Sequence, residues 1–295
     1  MKNQHKKKRS LFTALRGMRH WAEVFILRHQ FSNFFIPILN LSFKVPSNTI
    51  FSWHLSKYRV YEPDSLDFLL KRFKMDQGGL FIDVGANFGW YSLIFSKFAG
   101  ATGQIISFEP DQKNFELLSH NKNLNSAANI EAIQIAVGES HGEVLLGHAP
   151  DTNPGMHSLV DLPHINKDNA QTVQIRRLDE VLKDHTGLID LLKIDIEGFE
   201  VAAFLGGRET LRRCKLILAE YSPAFIEASG YKKSQFFELL QEAGFEIYEI
   251  EEDKLKILTP ADLHALSSRA TDPLYWQQDF FCINSQLASA ACTRR

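Results

Sequence analysis

Seven consecutive residues, Asp83-Val84-Gly85-Ala86-Asn87-Phe88-Gly89, have the make-up of a ligand-binding loop. Gly85 and Gly89 let backbone approach a ligand with no Cβ in the way, Asn87 tolerates a left-handed turn, and Asp83 sets a carboxylate beside them. A carboxylate in that position suits a ligand with an ammonium group. Two common loop chemistries are disfavoured: a dinucleotide fingerprint needs glycine where the chain has Asn87 and Trp90, and no Gly-Lys-Ser or Gly-Lys-Thr follows for a P-loop. Glu109, in Ser107-Phe108-Glu109-Pro110, falls at the distance from Asp83 at which such architectures reach ribose hydroxyls.

A third group is Lys193-Ile194-Asp195-Ile196-Glu197-Gly198. In extended chain the i, i+2 spacing puts Asp195 and Glu197 on one face, where their repulsion raises one pKa and creates a base for a hydroxyl proton. Other readings stay open: Asp195 as a helix N-cap, Glu197 as a first-turn charge, or both with Glu220 as an oxygen cage for Mg²⁺ or Ca²⁺. His157, in Asn153-Pro154-Gly155-Met156-His157-Ser158, is either a second proton acceptor or a surface-loop histidine without a task. Nothing in the sequence ties His141, His148 or His164 to these groups.

The elements that must position these residues alternate. Short, β-branched-rich runs at 80–84, 104–108, 130–137, 188–194 and 216–220 read as buried parallel strands, with helices expected over 91–97, 111–125, 200–212 and 234–243. The fold class is therefore α/β, a doubly wound Rossmann-like sheet with helices on both faces. Residues 246–250 and 279–283 are expected as two more strands at one edge. Residues 138–178 interrupt the alternation, with a short hairpin near 143–147, and are expected to shape the acceptor site beyond the strand ends.

Composition agrees with a globular chain: 295 residues, 44% hydrophobic and 23% charged, enough for a core and unlike a disordered or collagenous sequence. Cys214, Cys282 and Cys292 lack CxxC spacing, which argues against a disulfide framework or zinc site and favours a reducing, cytoplasmic location. Charge is uneven. Residues 1–79 carry 14 Lys and Arg against five Asp and Glu, a formal +9, and the remainder carries 19 against 30, a formal −11. Residues 1–50 are taken as a basic N-terminal extension and 51–295 as the catalytic domain. Within the extension, Leu11, Ala14, Leu15, Met18, Trp21, Ala22 and Phe25 recur at helical spacing opposite a basic face. Such a helix either docks on the domain or makes peripheral contact, through residues 1–30, with the anionic inner face of a membrane. No run is long and apolar enough to span a bilayer.

The motifs Asp83 to Gly89, Phe108-Glu109-Pro110, Ala136-Val137-Gly138 and Lys193 to Glu200 together resemble the FkbM-type family of S-adenosylmethionine-dependent methyltransferases. The resemblance spans about residues 60 to 250 and implies a class I methyltransferase sheet, S-adenosylmethionine as cofactor and a hydroxyl acceptor, often of a sugar or polysaccharide. Carried over, Asp83, Gly85, Asn87 and Gly89 hold the methionine part, Glu109 the ribose, and Ala136 lies near adenine. Asn121 and Asn125 also match family positions, although helix capping explains them equally. No metal ligand is assigned. Nucleic acid is not an expected partner: the Asn/Asp-Pro-Pro-aromatic tetrad of amino-base methylation is absent and the body is acidic. A methyltransferase-like module without activity would show decay of Asp83, Gly85, Gly89 and Glu109, all of which are retained.

Overall fold

The structure is a computed structural model that describes residues 16–22, 24, 29–150, 152–153, 156–160, 162, 165–251, 254–269 and 276–289. After helical residues at 16–22 come a hairpin, β1 (Phe31–Ile36) and β2 (Leu41–Pro46), and two helices, α1 (Ile50–Tyr58) and α2 (Pro63–Arg72). Alternation then sets in with β3 (Leu80–Val84), α3 (Trp90–Ala99), β4 (Gln104–Phe108), α4 (Gln112–Leu124) and β5 (Ile130–Ile133). A small sheet follows, of β6 (Ala136–Val137), β7 (Gly142–His148) and β8 (Asn166–Arg176). The second half holds β9 (Leu191–Ile194), α5 (Glu200–Gly206), α6 (Arg208–Arg212), β10 (Leu216–Tyr221), α7 (Pro223–Ala228) and α8 (Lys233–Glu242). Then come β11 (Glu246–Glu251), β12 (Lys254–Ile257), α9 (Pro260–Ser268), β13 (Gln278–Ile283) and the short α10 (Ser285–Ser289).

Eight strands form one sheet in the order β12-β11-β13-β10-β9-β3-β4-β5, with β5, β4, β3, β9 and β10 parallel. The chain winds outward from β3 through β4 to β5, then returns to β9 on the other side of β3. That reversal opens a crevice beyond the carboxyl ends of β3 and β9, where open α/β sheets bind ligands. Alternate residues feed two cores. Ile82 and Val84 join the cluster under α5, α6, α8 and α9, whereas Phe81 joins the one under α1, α2, α3 and the hairpin. Each such side chain, when fully buried, contributes about 1.5–3 kcal/mol, so both faces are anchored.

Three expectations need correction and a fourth is extended. The run 130–137 is not one strand: Ile133 O accepts both Glu109 N–H and Ile135 N–H, the chain turns there, and Ala136 pairs instead with Ile175 of β8. The helix expected over 200–212 is divided at Gly207, whose φ of −127° and ψ of 23° leave the helical region between α5 and α6. The short hairpin near 143–147 is β7 paired with the eleven-residue β8 across an intervening loop. The two further strands expected at one edge do extend the sheet there, beyond β10: β13 runs antiparallel between β10 and β11, and an additional strand, β12, lies outermost.

The hairpin went unread in the sequence. Its inward side chains Phe34, Ile36, Phe43 and Val45 are buried in the same cluster as Phe81, Phe88 and Trp90, so residues 31–46 pack as part of the core. Of the expected basic helix, residues 16–21 are helical, and 11–15, 23 and 25 lie outside the described residues.

Candidate active site

The loop after β3 is held by its own backbone. Gly85 and Ala86 N–H both donate to Phe108 O, at 3.0 and 2.9 Å, which ties the loop to the end of β4. Gly85 has φ +81°, and a Cβ there would lie 1.9 Å from the carbonyl oxygen of Asp195. No side chain fits between the ends of β3 and β9. Asn87 takes φ +49°, the left-handed turn expected of it.

Glu109 braces this loop. Its Oε2 accepts Asn87 N–H at 2.7 Å and its Oε1 accepts Asp111 N–H at 2.9 Å. Burial pushes its carboxyl up to about 8, against these two donors that favour the ionised form. Asp83 is buried below it. Ser107 Oγ lies 2.9 Å from Ser92 Oγ, which donates to Asp83 Oδ2 at 2.5 Å, so two hydroxyls fix the carboxylate's rotation. Burial raises the Asp83 pKa, and the positive charge of Lys193 opposes the rise.

Three buried polar atoms on the cleft wall have no partner in the protein: Asp83 Oδ1, Asn87 Oδ1 and Trp90 Nε1. Buried polar atoms are ordinarily paired, so these orphans mark where a polar ligand belongs. A carboxylate, an amide oxygen, a glycine-lined gap and the Glu109 oxygens suit the ammonium, carboxylate and ribose groups of S-adenosylmethionine. Ala136, with Ile135, Val137 and Leu146, gives the cleft an apolar wall on the β6 side.

The opposite wall is acidic. Asp195, Glu197 and Glu220 bring carboxylate oxygens within 4.8 Å of one another. Lys193 Nζ lies 2.7 Å from Asp195 Oδ2 and 4.9 Å from the centre of the Tyr91 ring. Burial works against the Lys193 charge, but Asp195, Glu62 and Asp83 together raise its pKa. Gln277 Nε2 donates to Glu197 Oε2 at 2.9 Å and to Glu220 Oε2 at 3.0 Å, bridging the two acids. Burial, followed by the negative charge of Asp195, lifts both well above the carboxylate range. Glu197 also takes φ +53°, a strained position for a non-glycine residue. Neither Asp195 nor Glu197 caps the following helix, whose N-cap is Phe199.

His157 lines the cleft, and its Nδ1 accepts Ala149 N–H at 3.0 Å. The neutral ring therefore carries its proton on Nε2 and offers a donor there rather than a base. His148 is tied to the cleft after all: its ring lies 4.8 Å from His157, and its Nε2 is 3.2 Å from Asp111 Oδ2. His164 lies outside the described residues, and His141 sits near Glu180 at the surface.

Sequence reasoning missed Phe51, Tyr61, Glu62, Trp90, Tyr91 and Gln277, all of which line the cleft. Glu62 takes φ +46° and accepts Tyr91 O–H at 2.5 Å; burial, then the Asp279 charge, pushes its carboxyl up to about 7. Its signal in the sequence is an acid directly before Pro63, which reads as an ordinary helix start. Gln277 carries no local signal.

Comparison with known proteins agrees with this geometry. Residues 83–247 match the Methyltransferase FkbM domain. Methyltransferase sdnD of Sordaria araneosa is 29% identical over 198 residues, covering 56% of this chain and 73% of that protein. The 2-O-methyltransferase NoeI of Sinorhizobium fredii is 26% identical over 157 residues, covering 48% of this chain and 62% of NoeI. Among solved structures, methyltransferase FkbM from Methylobacillus flagellatus KT aligns at a TM-score of 0.44 with 15% identity, covering 77% of this chain. This chain spans about half, 49%, of that one. With more than half of its residues matched and the family's motifs gathered around one crevice, the chain belongs to the FkbM family of S-adenosylmethionine-dependent methyltransferases.

Proposed function

We propose that the protein methylates a hydroxyl of a carbohydrate, polysaccharide or related natural product. The observation that carries this reading is the meeting of Asp195 and Glu197, at the end of β9, with the glycine loop at the end of β3 in a single cleft. NoeI, a relative that is a 2-O-methyltransferase, supports oxygen as the acceptor atom. The cleft offers both carboxylates that accept hydroxyl hydrogen bonds and the aromatic rings of Phe51, Tyr61, Trp90 and Tyr91, a combination suited to a polyhydroxylated ligand with apolar ring faces.

The bound cofactor supplies an electrophilic methyl group on a positively charged sulfur. The chain's work is to hold and to deprotonate. Asp83 and the 85–89 loop hold the amino-acid end, Glu109 accepts from the ribose, and Ala136 lies along the apolar wall for the adenine. On the acceptor side Asp195 uses the oxygen that Lys193 does not engage to take the hydroxyl proton as the new O–C bond forms. Glu197, held toward its protonated form, is a hydrogen-bond donor beside Asp195 rather than a second base. His157 donates from Nε2 and orients the acceptor. Orientation supplies much of the rate and the base about a further 10²–10⁴-fold.

Asp195→Asn tests the assignment, since it keeps size and much hydrogen bonding but removes a base and a charge. Turnover, read as methylated product by mass spectrometry with glycan extracts as acceptor, is expected to fall ~10²-fold or more. Calorimetry is expected to show cofactor affinity little changed. Lost cofactor binding, or unchanged turnover, overturns the role given to Asp195.

A further inference from the structure

The helical residues at 16–22 leave apolar and basic side chains outside together. Gly17 and His20 face the protein. The buried His20 ring packs edge-on against Trp53 of α1 at 4.9 Å and lies 5.9 Å from Phe34 of β1, and its Nε2 is 3.3 Å from Ser52 Oγ. Ser56 Oγ donates to Arg16 O at 3.1 Å, closing the contact. Left outside, together with Arg16 and Arg19, are two large apolar side chains, Met18, 65% exposed, and Trp21, 49% exposed. An amphipathic helix on a water-facing surface buries such residues and shows its polar side.

The hairpin repeats the pattern. Phe34 and Ile36 of β1 point inward, whereas Phe35 is 50% exposed, Phe31 is exposed beside it, and Ile38 at the turn is 74% exposed. Seven of the twelve large apolar residues exposed among the described ones lie between positions 18 and 58. Basic groups are interleaved with them. Lys44 Nζ sits 4.7 Å above the Phe31 ring and Lys57 Nζ 5.7 Å from the Trp53 ring. Arg59 lies close enough to Arg16 and Arg19 that their charges, after burial, lower its pKa. Among the described residues, Arg16, Lys57 and Arg59 form no ion pair with a carboxylate.

We infer that helical residues 16–22, the β1–β2 hairpin and α1 form a docking surface for an anionic phospholipid bilayer. Apolar side chains enter the headgroup boundary, and Lys and Arg stems lie along it with their charges at the phosphates. Charge complementarity selects this occupant. Residues 1–79 carry +9 and the rest −11, so an anionic surface attracts the head and repels the body. An acidic protein would match the charge, but it would not account for Ile38 exposed at a turn or Trp21 exposed on the same helix as Arg16 and Arg19. No helix among the described residues is long and apolar enough to cross a membrane, so the contact is peripheral.

Co-sedimentation of the full chain with vesicles tests this, using phosphatidylcholine alone and phosphatidylcholine with phosphatidylglycerol. The expected result is ~10-fold or greater preference for the anionic vesicles, abolished at high salt. The double variant Phe35→Ser with Ile38→Asp, and separately Trp21→Ser, are expected to lower vesicle binding ~10-fold. Both keep the thermal midpoint and cofactor affinity of the parent chain, because these side chains are exposed and lie away from the cleft. Absence of binding to anionic vesicles overturns the inference, as does equal binding by parent and variants. Sedimentation velocity covers the rival occupant: a dimer that the variants dissociate, with vesicle binding unaltered, assigns the surface to a second copy instead. The readouts need no turnover, so failure here leaves the proposed reaction untouched.

Discussion

Asp83 and Glu109 are both buried carboxyls at strand ends, yet they do different work. Glu109 already accepts two backbone N–H groups, one of them in the loop, whereas Asp83 keeps Oδ1 without a protein partner. Asp83→Ala is therefore expected to weaken S-adenosylmethionine binding more than tenfold with little change in stability, since it removes charge-assisted bonds of ~1.5–3 kcal/mol. Glu109→Ala should match that loss and also lower the thermal midpoint, because Asn87 and Asp111 lose their acceptor. Calorimetric titration and melting of both variants check the pair, and unchanged affinity in both sinks the cofactor assignment. Glu62 gives a pH test. Its folded pKa, about 7, lies above the ordinary carboxyl value, so the folded chain holds a proton that the unfolded chain releases. Stability from this group is greatest below about pH 4.5 and declines as pH rises toward 7. Glu62→Gln removes that decline, and melting from about pH 5 to about 7.5 should fall by a few degrees less in the variant than in the parent. Asp83, Gly85, Glu109 and Asp195 were legible because a strand end, a glycine turn and a carboxylate stand together in the sequence. Glu62 and Gln277 were not, since their role arises only when distant segments are folded onto β9.

Helix α4 explains the paired asparagines that capping could equally have claimed. Asn121 Oδ1 accepts Lys44 N–H at 2.8 Å, and its Nδ2 donates to Lys44 O at 3.0 Å and to Phe88 O at 2.9 Å. One turn later Asn125 does the same for Ser42, at 2.8 and 2.7 Å. Side chains four apart on a helix thus pair with residues two apart on β2, acting as a substitute strand along its open edge. Asn121 alone also holds the cofactor loop. Replacing either by Ala should cost about 1–3 kcal/mol by leaving buried backbone groups unpaired. Only Asn121→Ala should also weaken cofactor binding. Urea denaturation with calorimetric titration separates the two effects, and equal affinity loss in both variants rejects the division of labour. At this scale the parallel strands were legible as short β-branched runs bounded by breakers. The turn after Ile133 was not, because it follows from a contact with residues far along the chain, where Ala136 pairs with Ile175.

Across the whole molecule, the segment that resembles the family is less than the unit that folds. The family match ends at residue 247, but β13 comes later and lies inside the sheet, with β10 and β11 both paired to it. Sequence patterning marked 279–283 as a strand but could not fix its neighbours, because an antiparallel last strand fits an edge as readily as an interior slot. Its place has consequences that an edge strand would not. A chain ending at residue 255 loses Phe280, Phe281 and Cys282, all buried, and leaves β10 with an unpaired edge. It also loses Gln277, which bridges Glu197 and Glu220 in the cleft. Burial of the two phenylalanines alone contributes about 3–6 kcal/mol, a large share of the ~5–15 kcal/mol that holds a domain together. The truncated chain is therefore expected to lack a cooperative thermal transition and to bind no cofactor. A chain beginning at residue 16 keeps every described element and is expected to melt and bind as the full chain does. Calorimetry of the two truncations side by side decides the matter: a cooperative transition in the chain ending at 255 would mean that β11 can close on β10 without the strand between them.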